Sequence, residues 1–370
     1  MDPLVLEKAS VLCYRLYDVA DEIDLGVAES VLARDARRLR FGRSGAEFLL
    51  LPNPPLLIGL GRRSLPLPGG PLDVEARARL FDFGAISIVL TVPVTTGLDL
   101  DALTPLADRL YDGPEVDALA FELVEGLRKE VAPAMTNPHL WEQVEHYSVV
   151  FVEGIRGRPS GDDVLRRADL ARLLLGETTV PELSAAERQD VTQRQLSYGK
   201  DDLVVIDWNA AFVYEPSGSR DIPDILEIAN AQLLELRYYD EALDNSLARV
   251  NQRLKLERQR LGSIFRSPYP ALSRQVLVAL LEMSELVERV ENSLKIIGDF
   301  YLARVYEAAV EQLRIPAWKE TVTRKQQILS DVYGWLKGEV DTARSLTLEV
   351  MIVLLIVVEL LVAVGSVLKH

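Results

Sequence analysis

Apolar and polar positions change period once along this chain. Before about residue 218 they alternate in short runs, the period-two pattern of strands, with helical periods between them. Residues 8–18 (KASVLCYRLYD) predict a strand. Asp24 and Leu25 open a short helix to about Ala33, with Asp24 as the candidate N-cap. Residues 37–51 predict two strands around Gly42 and Gly45. Proline and glycine crowd 52–71, which predicts loop or sheet edge. The clearest strand pair is 78–93 (ARLFDFGAISIVLTVP), followed by helices near 98–112 and 114–130. YSVVFVEGI at 147–155 predicts a further strand, and 162–175 a helix capped by Ser160 or Asp162. At 203–216, alternation around Asp207, Trp208 and Asn209 predicts strand–turn–strand. Strands mixed with helices, without regular βαβ spacing, place the chain in the α+β class, with a mixed-sheet domain over 1–218.

Beyond Ser219 the apolar positions step by three and four. One series is Leu226, Ala229, Leu233, Leu236, Leu243, Leu247, Val250 and Leu254, broken once at Asp240. A second runs through Val276, Leu280, Met283, Val287, Val290, Leu294, Ile297 and Tyr301. Such stripes suit long packed helices, so 219–345 is expected to form a coiled-coil-like helical arm. Two prolines in the connector at 262–272 separate its first two helices. Ile315 and Pro316 start a third, with Gly334 and Gly338 as weak points.

That third helix runs into a C-terminal hydrophobic helix at 346–370, where 350–368 reads VMIVLLIVVELLVAVGSVL. The length approaches the ~20 apolar residues needed to cross a hydrocarbon core. The expectation is a single-pass C-terminal transmembrane anchor, with the bulk of the protein facing the cytoplasm and the lipid bilayer as a partner. Glu359 sits mid-run and costs about 2.5–3.5 kcal/mol at a bilayer centre. It would be protonated or would face a partner helix. Glu349 and Glu359 lie roughly 80° apart around a helix and about 15 Å apart along it. Ala363, Gly365 and Ser366 are small enough for close helix contact. Glu349, Glu359 and Gly365 are therefore the candidate residues of a membrane or oligomer helix. The alternative is a soluble helix sheathed by other helices.

A geometric tension attends this arm. A helix from 273 to 314 would be about 63 Å long, and the polar part of the third helix only about 42 Å. The basic tip of a straight hairpin would then overshoot the membrane surface, so a bend, for instance at Gly298, or a diverging last helix is required. With a bend, Arg258, Arg260, Arg266 and Arg274 become candidate headgroup contacts at about 1 kcal/mol each. Without one they form a solvated charge cluster.

Composition narrows the partners. The 370 residues carry 41 basic and 56 acidic side chains, a net charge of −15, which argues against direct nucleic-acid binding. Cys13 is the only cysteine, which rules out an intramolecular disulfide or a thiolate metal cluster. The start, MDPLVLEKAS, is neither a secretory signal nor an Arg-rich transit peptide.

Candidate chemistry is thin. His139 and His146 with Glu142 and Glu145 evoke a metal cluster but lack HExxH spacing, and ordinary surface histidines explain them. Gly59, Gly61, Arg62 and Arg63 could cradle an anion, yet the P-loop Lys-Ser/Thr is missing and a plain turn suffices. Asp207 could act in acid–base chemistry, though Asp and Asn favour such turns anyway. No catalytic, cofactor or metal residue is assigned.

The terminal pattern resembles the C-terminal signature of the Rmd/YagE family (required for meiotic nuclear division). Leu348 and Glu349 precede an aliphatic run, and Glu359 follows ten residues after the first glutamate, with Val350 in place of the usual aromatic. Residues 80–89 (LFDFGAISIV) and 14–32 are similar to further elements of that family, whereas 196–218 depart from it. The resemblance implies a fold and, in eukaryotic members, a link to meiotic division or to mitochondrial translation at the inner membrane. It implies no enzymatic activity.

The expected function is a non-enzymatic, membrane-anchored scaffold or tether, forming a homo-oligomer through its helical arm and serving an unknown protein partner. The alternative is a soluble α+β enzyme or ligand-binding protein for an anion or nucleotide, with its C-terminal helix buried in an oligomer.

Overall fold

The computed structural model describes residues 3–32, 36–38, 49–50, 53–258, 269–278, 280–281, 295–296 and 300–367. The chain begins with β1 (Leu6–Asp18), β2 (Glu22–Ile23), α1 (Leu25–Leu32), β3 (Ala36–Arg38) and β4 (Leu49–Leu50). A long hairpin, β5 (Leu56–Leu67) and β6 (Gly70–Leu80), leads to β7 (Ala85–Pro93). Next come α2 (Thr104–Tyr111), α3 (Pro114–Glu130), β8 (Met135–Thr136) and β9 (Glu145–Ile155). Then follow α4 (Gly161–Arg167), α5 (Leu170–Leu175), α6 (Ala185–Val191), β10 (Gln195–Leu196), β11 (Leu203–Ile206) and β12 (Ala210–Tyr214). The C-terminal part comprises α7 (Asp221–Arg258), α8 (described for 270–278), β13 (Lys295–Ile296), α9 (Phe300–Gln312) and α10 (Ile315–Val367). This is an α+β protein, as the change of period implied.

Nine strands form one mixed sheet in the order β10-β11-β12-β9-β1-β7-β6-β5-β3. Only β12 and β9 pair in parallel; the other neighbours are antiparallel. β1 lies at the centre and is buried on both faces. Its Val11, Cys13 and Tyr17 join the core shared with α2, α3 and α5, on the face they cover. Tyr14, on the other face, donates its hydroxyl to the Pro223 carbonyl of α7. From 225 to 236 every α7 residue is buried, as expected of a helix covered all round.

Local capping follows the sequence. Asp24 Oδ1 accepts the amides of Gly26 and Val27 at the start of α1. Ser160 and Asp163 form a capping box at α4. The single helix expected over 162–175 is two, because Asp169 caps a new start at α5 and Gly176 ends it in the left-handed region. Of the loop or sheet edge expected over 52–71, the edge is what forms: the segment is β5 and the start of β6, turning at Gly69 and Gly70, both at positive φ. Pro66 and Pro71 face each other near its outer end, beyond the reach of β3, where a missing amide costs no ladder bond.

The chain divides into two compact units: Met1–Tyr238 with Glu288–Trp318, and Tyr239–Val287 with Lys319–His370. The first contains the sheet, the first half of α7 and α9. In the second, α10 buries Val322, Leu329, Leu336 and Val340. Steps of seven, seven and four put these on one helical face. α7 supplies Leu243 and Val250 to the buried set, and α8 supplies Leu272 and Val276. Asp240, which interrupts the apolar series, pairs with Lys325 of α10 at 2.7 Å. The second long helix expected from 273 to 314 does not run through. Lys295 and Ile296 pair with Leu50 and Leu49 as strands, which removes the 63 Å helix and its length mismatch.

The expected single-pass membrane anchor over 346–370 is also corrected. Among the described residues no helix is long and apolar enough to cross a membrane. Glu349 and Glu359 leave an uncharged run of nine residues at 350–358, about 13.5 Å of helix against a core about 30 Å thick.

Candidate functional site

α10 carries an unusual surface. From Leu346 to Leu361, thirteen large aliphatic side chains are 40–67% exposed, including every residue from Val350 to Val358. Nine consecutive positions circle the helix two and a half times, so the exposed apolar surface is a sleeve and not a stripe. Glu349 and Glu359 are both exposed on it. Gly365 lies in the same helix, where side-chain surroundings are outside the described set. Of the four arginines considered for headgroups, Arg274 is exposed on α8 and Arg258 ends α7. Arg260 and Arg266 lie outside the described residues.

Among the described residues of the first unit, three clusters of charged groups tie the sheet to its helices and loops. Under α7, Arg79 donates from Nη2 to Asp224 Oδ1 at 2.6 Å and pairs from Nη1 with Glu227 Oε2 at 3.1 Å. Arg79 and Glu227 are each 2% exposed. Burial pushes the Glu227 carboxyl up, against the pull of Arg79. On the opposite face of β1, Arg15 donates to Asp117 and to the carbonyls of Tyr14, Leu110 and Tyr111. It thereby satisfies carbonyls at the end of α2 and ties α3 to the sheet.

The third cluster surrounds His139. Its Nε2 lies 2.7 Å from Asp18 Oδ1 and its Nδ1 3.0 Å from the Asn137 carbonyl. Facing a carboxylate and a carbonyl, the ring is favoured in its protonated form by these contacts. Burial opposes that charge, but the hydrogen bond and charge of Asp18 outweigh it and raise the His139 pKa. The imidazole ring stacks on Tyr238 at 5.1 Å, and Trp141 meets that tyrosine edge-on.

These contacts dissolve the imagined metal cluster. His139 turns to Asp18, Glu145 accepts from Arg237, and His146 sits 3.5 Å from Asp112. Burial and the Arg15 charge push His146 below the ordinary histidine value. Among the described residues no group of three or more His, Cys, Asp or Glu side chains is placed to hold a metal ion. Gly59 and Gly61 flank a β-bulge within β5, with Gly61 at φ 77°, and do not form an anion-binding loop. Asp207 heads the β11–β12 turn and accepts from Gln312 at 3.2 Å. Burial raises its pKa.

Sequence reasoning missed Arg15, Arg79, Asp224, Glu227 and Asp18. A signal was present: Arg15 interrupts an apolar strand, and Arg77 and Arg79 alternate with alanines before a Leu-Phe pair. A charge inside a strand covered on both faces requires a buried counter-charge.

A nine-stranded mixed sheet with helices packed on both faces, and a long helix bearing an exposed aliphatic sleeve, define the class, an α+β protein with a helical extension. The chain belongs to the family described as "Uncharacterized protein MJ0711, N-terminal domain", which matches residues 8–220. It is similar to the Uncharacterized protein MJ0711 of Methanocaldococcus jannaschii, 24% identical over 179 residues, covering 48% of this chain and 54% of that protein. The chain thus spans about half the length of that relative. The resemblance to Rmd/YagE proteins is thereby overturned. Two glutamates around an aliphatic run are a pattern that many apolar helices share, whereas the family match extends over the whole sheet domain.

Proposed function

We propose that this protein is a non-enzymatic scaffold that self-associates through the 346–361 segment of α10. The exposed aliphatic sleeve carries the reading. Thirteen half-exposed aliphatic side chains represent about 10–20 kcal/mol of unrealised hydrophobic burial per chain. Association itself costs about 4–15 kcal/mol, so covering the sleeve with the same helix of another copy is favourable. A patch that encircles the helix suits a bundle with neighbours on several sides, more than a flat two-body contact. Glu349 and Glu359 would lie at the edges of the buried layer and limit its length. Scaffolding is favoured over catalysis because the polar clusters of the sheet domain are committed to internal partners: Arg15, Arg79 and His139 each bind acceptors of the fold itself.

Light scattering coupled to size-exclusion chromatography tests the reading on the full chain. The expected result is a discrete oligomer at micromolar concentration that becomes monomeric when residues 346–370 are removed. Substituting serine for Met351, Leu354, Leu355 and Val358 should have the same effect. A monomeric full chain, or an oligomer that survives both changes, would overturn it.

A further inference from the structure

The second unit contains a cavity of about 460 Å³, within the ordinary range of small-ligand sites. Val250, Leu272, Val276 and Leu329 form an aliphatic floor, each no more than 7% exposed. Three exposed arginines line the same space: Arg249 and Arg253, one turn apart on α7, and Arg274 on α8. Arg249 donates to Ser246 Oγ at 2.9 Å. Among the described residues none of the three arginines is paired with a carboxylate. Like charges one turn apart on a helix repel. In a chain of net charge −15, three guanidinium groups gathered over an aliphatic floor form a local inversion of sign.

We infer that this cavity binds a single-chain anionic amphiphile, with its carboxylate or phosphate head on Arg249, Arg253 and Arg274 and its alkyl chain on the aliphatic floor. The guanidinium fork fits either head group through paired N–H donors. The head relieves the mutual repulsion of the arginines, and the chain removes the floor from water. Neither an inorganic anion nor a neutral alcohol does both. The occupant is a dissolved monomer, and the site is independent of the self-association surface on residues 346–361.

Isothermal titration of the full chain tests the inference with four probes below their aggregation limits: decanoate, monodecyl phosphate, 1-decanol and inorganic phosphate. The expected result is one site per chain for decanoate or monodecyl phosphate, at least tenfold tighter than for decanol. Inorganic phosphate should bind at least a hundredfold more weakly than its decyl ester. The R253Q/R274Q variant changes exposed side chains only and should keep its circular dichroism spectrum while losing tenfold or more in affinity for the anionic amphiphiles. Val278, exposed at the cavity edge, offers a second variant: V278E adds a repelling carboxylate and should weaken the same two ligands without affecting decanol. Whichever of decanoate and monodecyl phosphate binds tighter identifies the preferred head group. Equal binding of decanol and decanoate, unchanged affinity in both folded variants, or inorganic phosphate binding as tightly as its ester would overturn the inference.

Discussion

Replacing Arg79 with methionine probes how α7 is held to the sheet. Methionine keeps much of the aliphatic volume and removes the charge. Glu227, 2% exposed, then loses its cation, while Asp224, with a side chain 20% exposed, can turn towards water. Removing one partner of a buried ion pair costs about 3–5 kcal/mol, because the orphaned carboxylate must stay charged in a poorly polarisable interior or take up a proton. The pH dependence has a definite sign. Burial already holds Glu227 above its ordinary value of 4.5, while Arg79 pulls it down, so R79M raises it further. A carboxyl whose folded pKa exceeds the unfolded one costs stability above the folded pKa, and the cost fades as pH falls towards the unfolded value. The loss in R79M should therefore be largest near pH 8 and shrink towards pH 5. Urea unfolding followed by far-ultraviolet circular dichroism at both pH values measures it. The R79M/E227Q double variant should recover part of the loss at pH 8, since glutamine needs no counter-charge. A loss below about 1 kcal/mol, the same loss at both pH values, or no recovery in the double variant would refute the account.

Three further outcomes follow from named contacts. The His139 pKa is raised above the ordinary histidine value by Asp18, so its contribution is complete below that ordinary value and is lost as pH rises through the folded pKa. H139Q should cost about 1.5–3 kcal/mol at pH 6, and thermal melts should show the gap to wild type closing by pH 9. Gly84 adopts φ +100°, and a Cβ there would collide with the Ala20 carbonyl oxygen. G84A should destabilise by about 3 kcal/mol or more in urea titrations, and a neutral result would contradict the close approach of the two backbones. Burial pushes the Cys13 thiol up to about 11, so a thiol-specific disulfide reagent should label it only as fast as the protein unfolds. Immediate labelling of native protein would show that the central strand is open to solvent.

The features legible in the amino-acid sequence rest on chemistry confined to a few neighbouring residues. Short apolar runs marked β1, β7, β9, β11 and β12, because these strands are buried on both faces over most of their length. Asp24 and Ser160 marked helix starts, because an N-cap requires only its own side chain and amides two or three residues on. Over 52–71, where loop or sheet edge was expected, the edge alternative holds and the loop does not. Pro66, Pro71 and two glycines read as loop, and only pairing across the turn shows that their backbone positions tolerate a strand.

By itself, then, the amino-acid sequence determined the period of each segment, the caps, the switch from sheet to helices near 218 and the presence of an aliphatic run bounded by Glu349 and Glu359. These depend on separations of a few residues. Only the tertiary structure decided that Arg79 meets Asp224 and Glu227, some 145 residues away, that His139 is held by Asp18, and that the aliphatic run stands exposed on α10. Which buried charges neutralise each other, and which apolar side chains lack a cover, depends on how distant elements pack, and no short-range pattern along the chain encodes that distance.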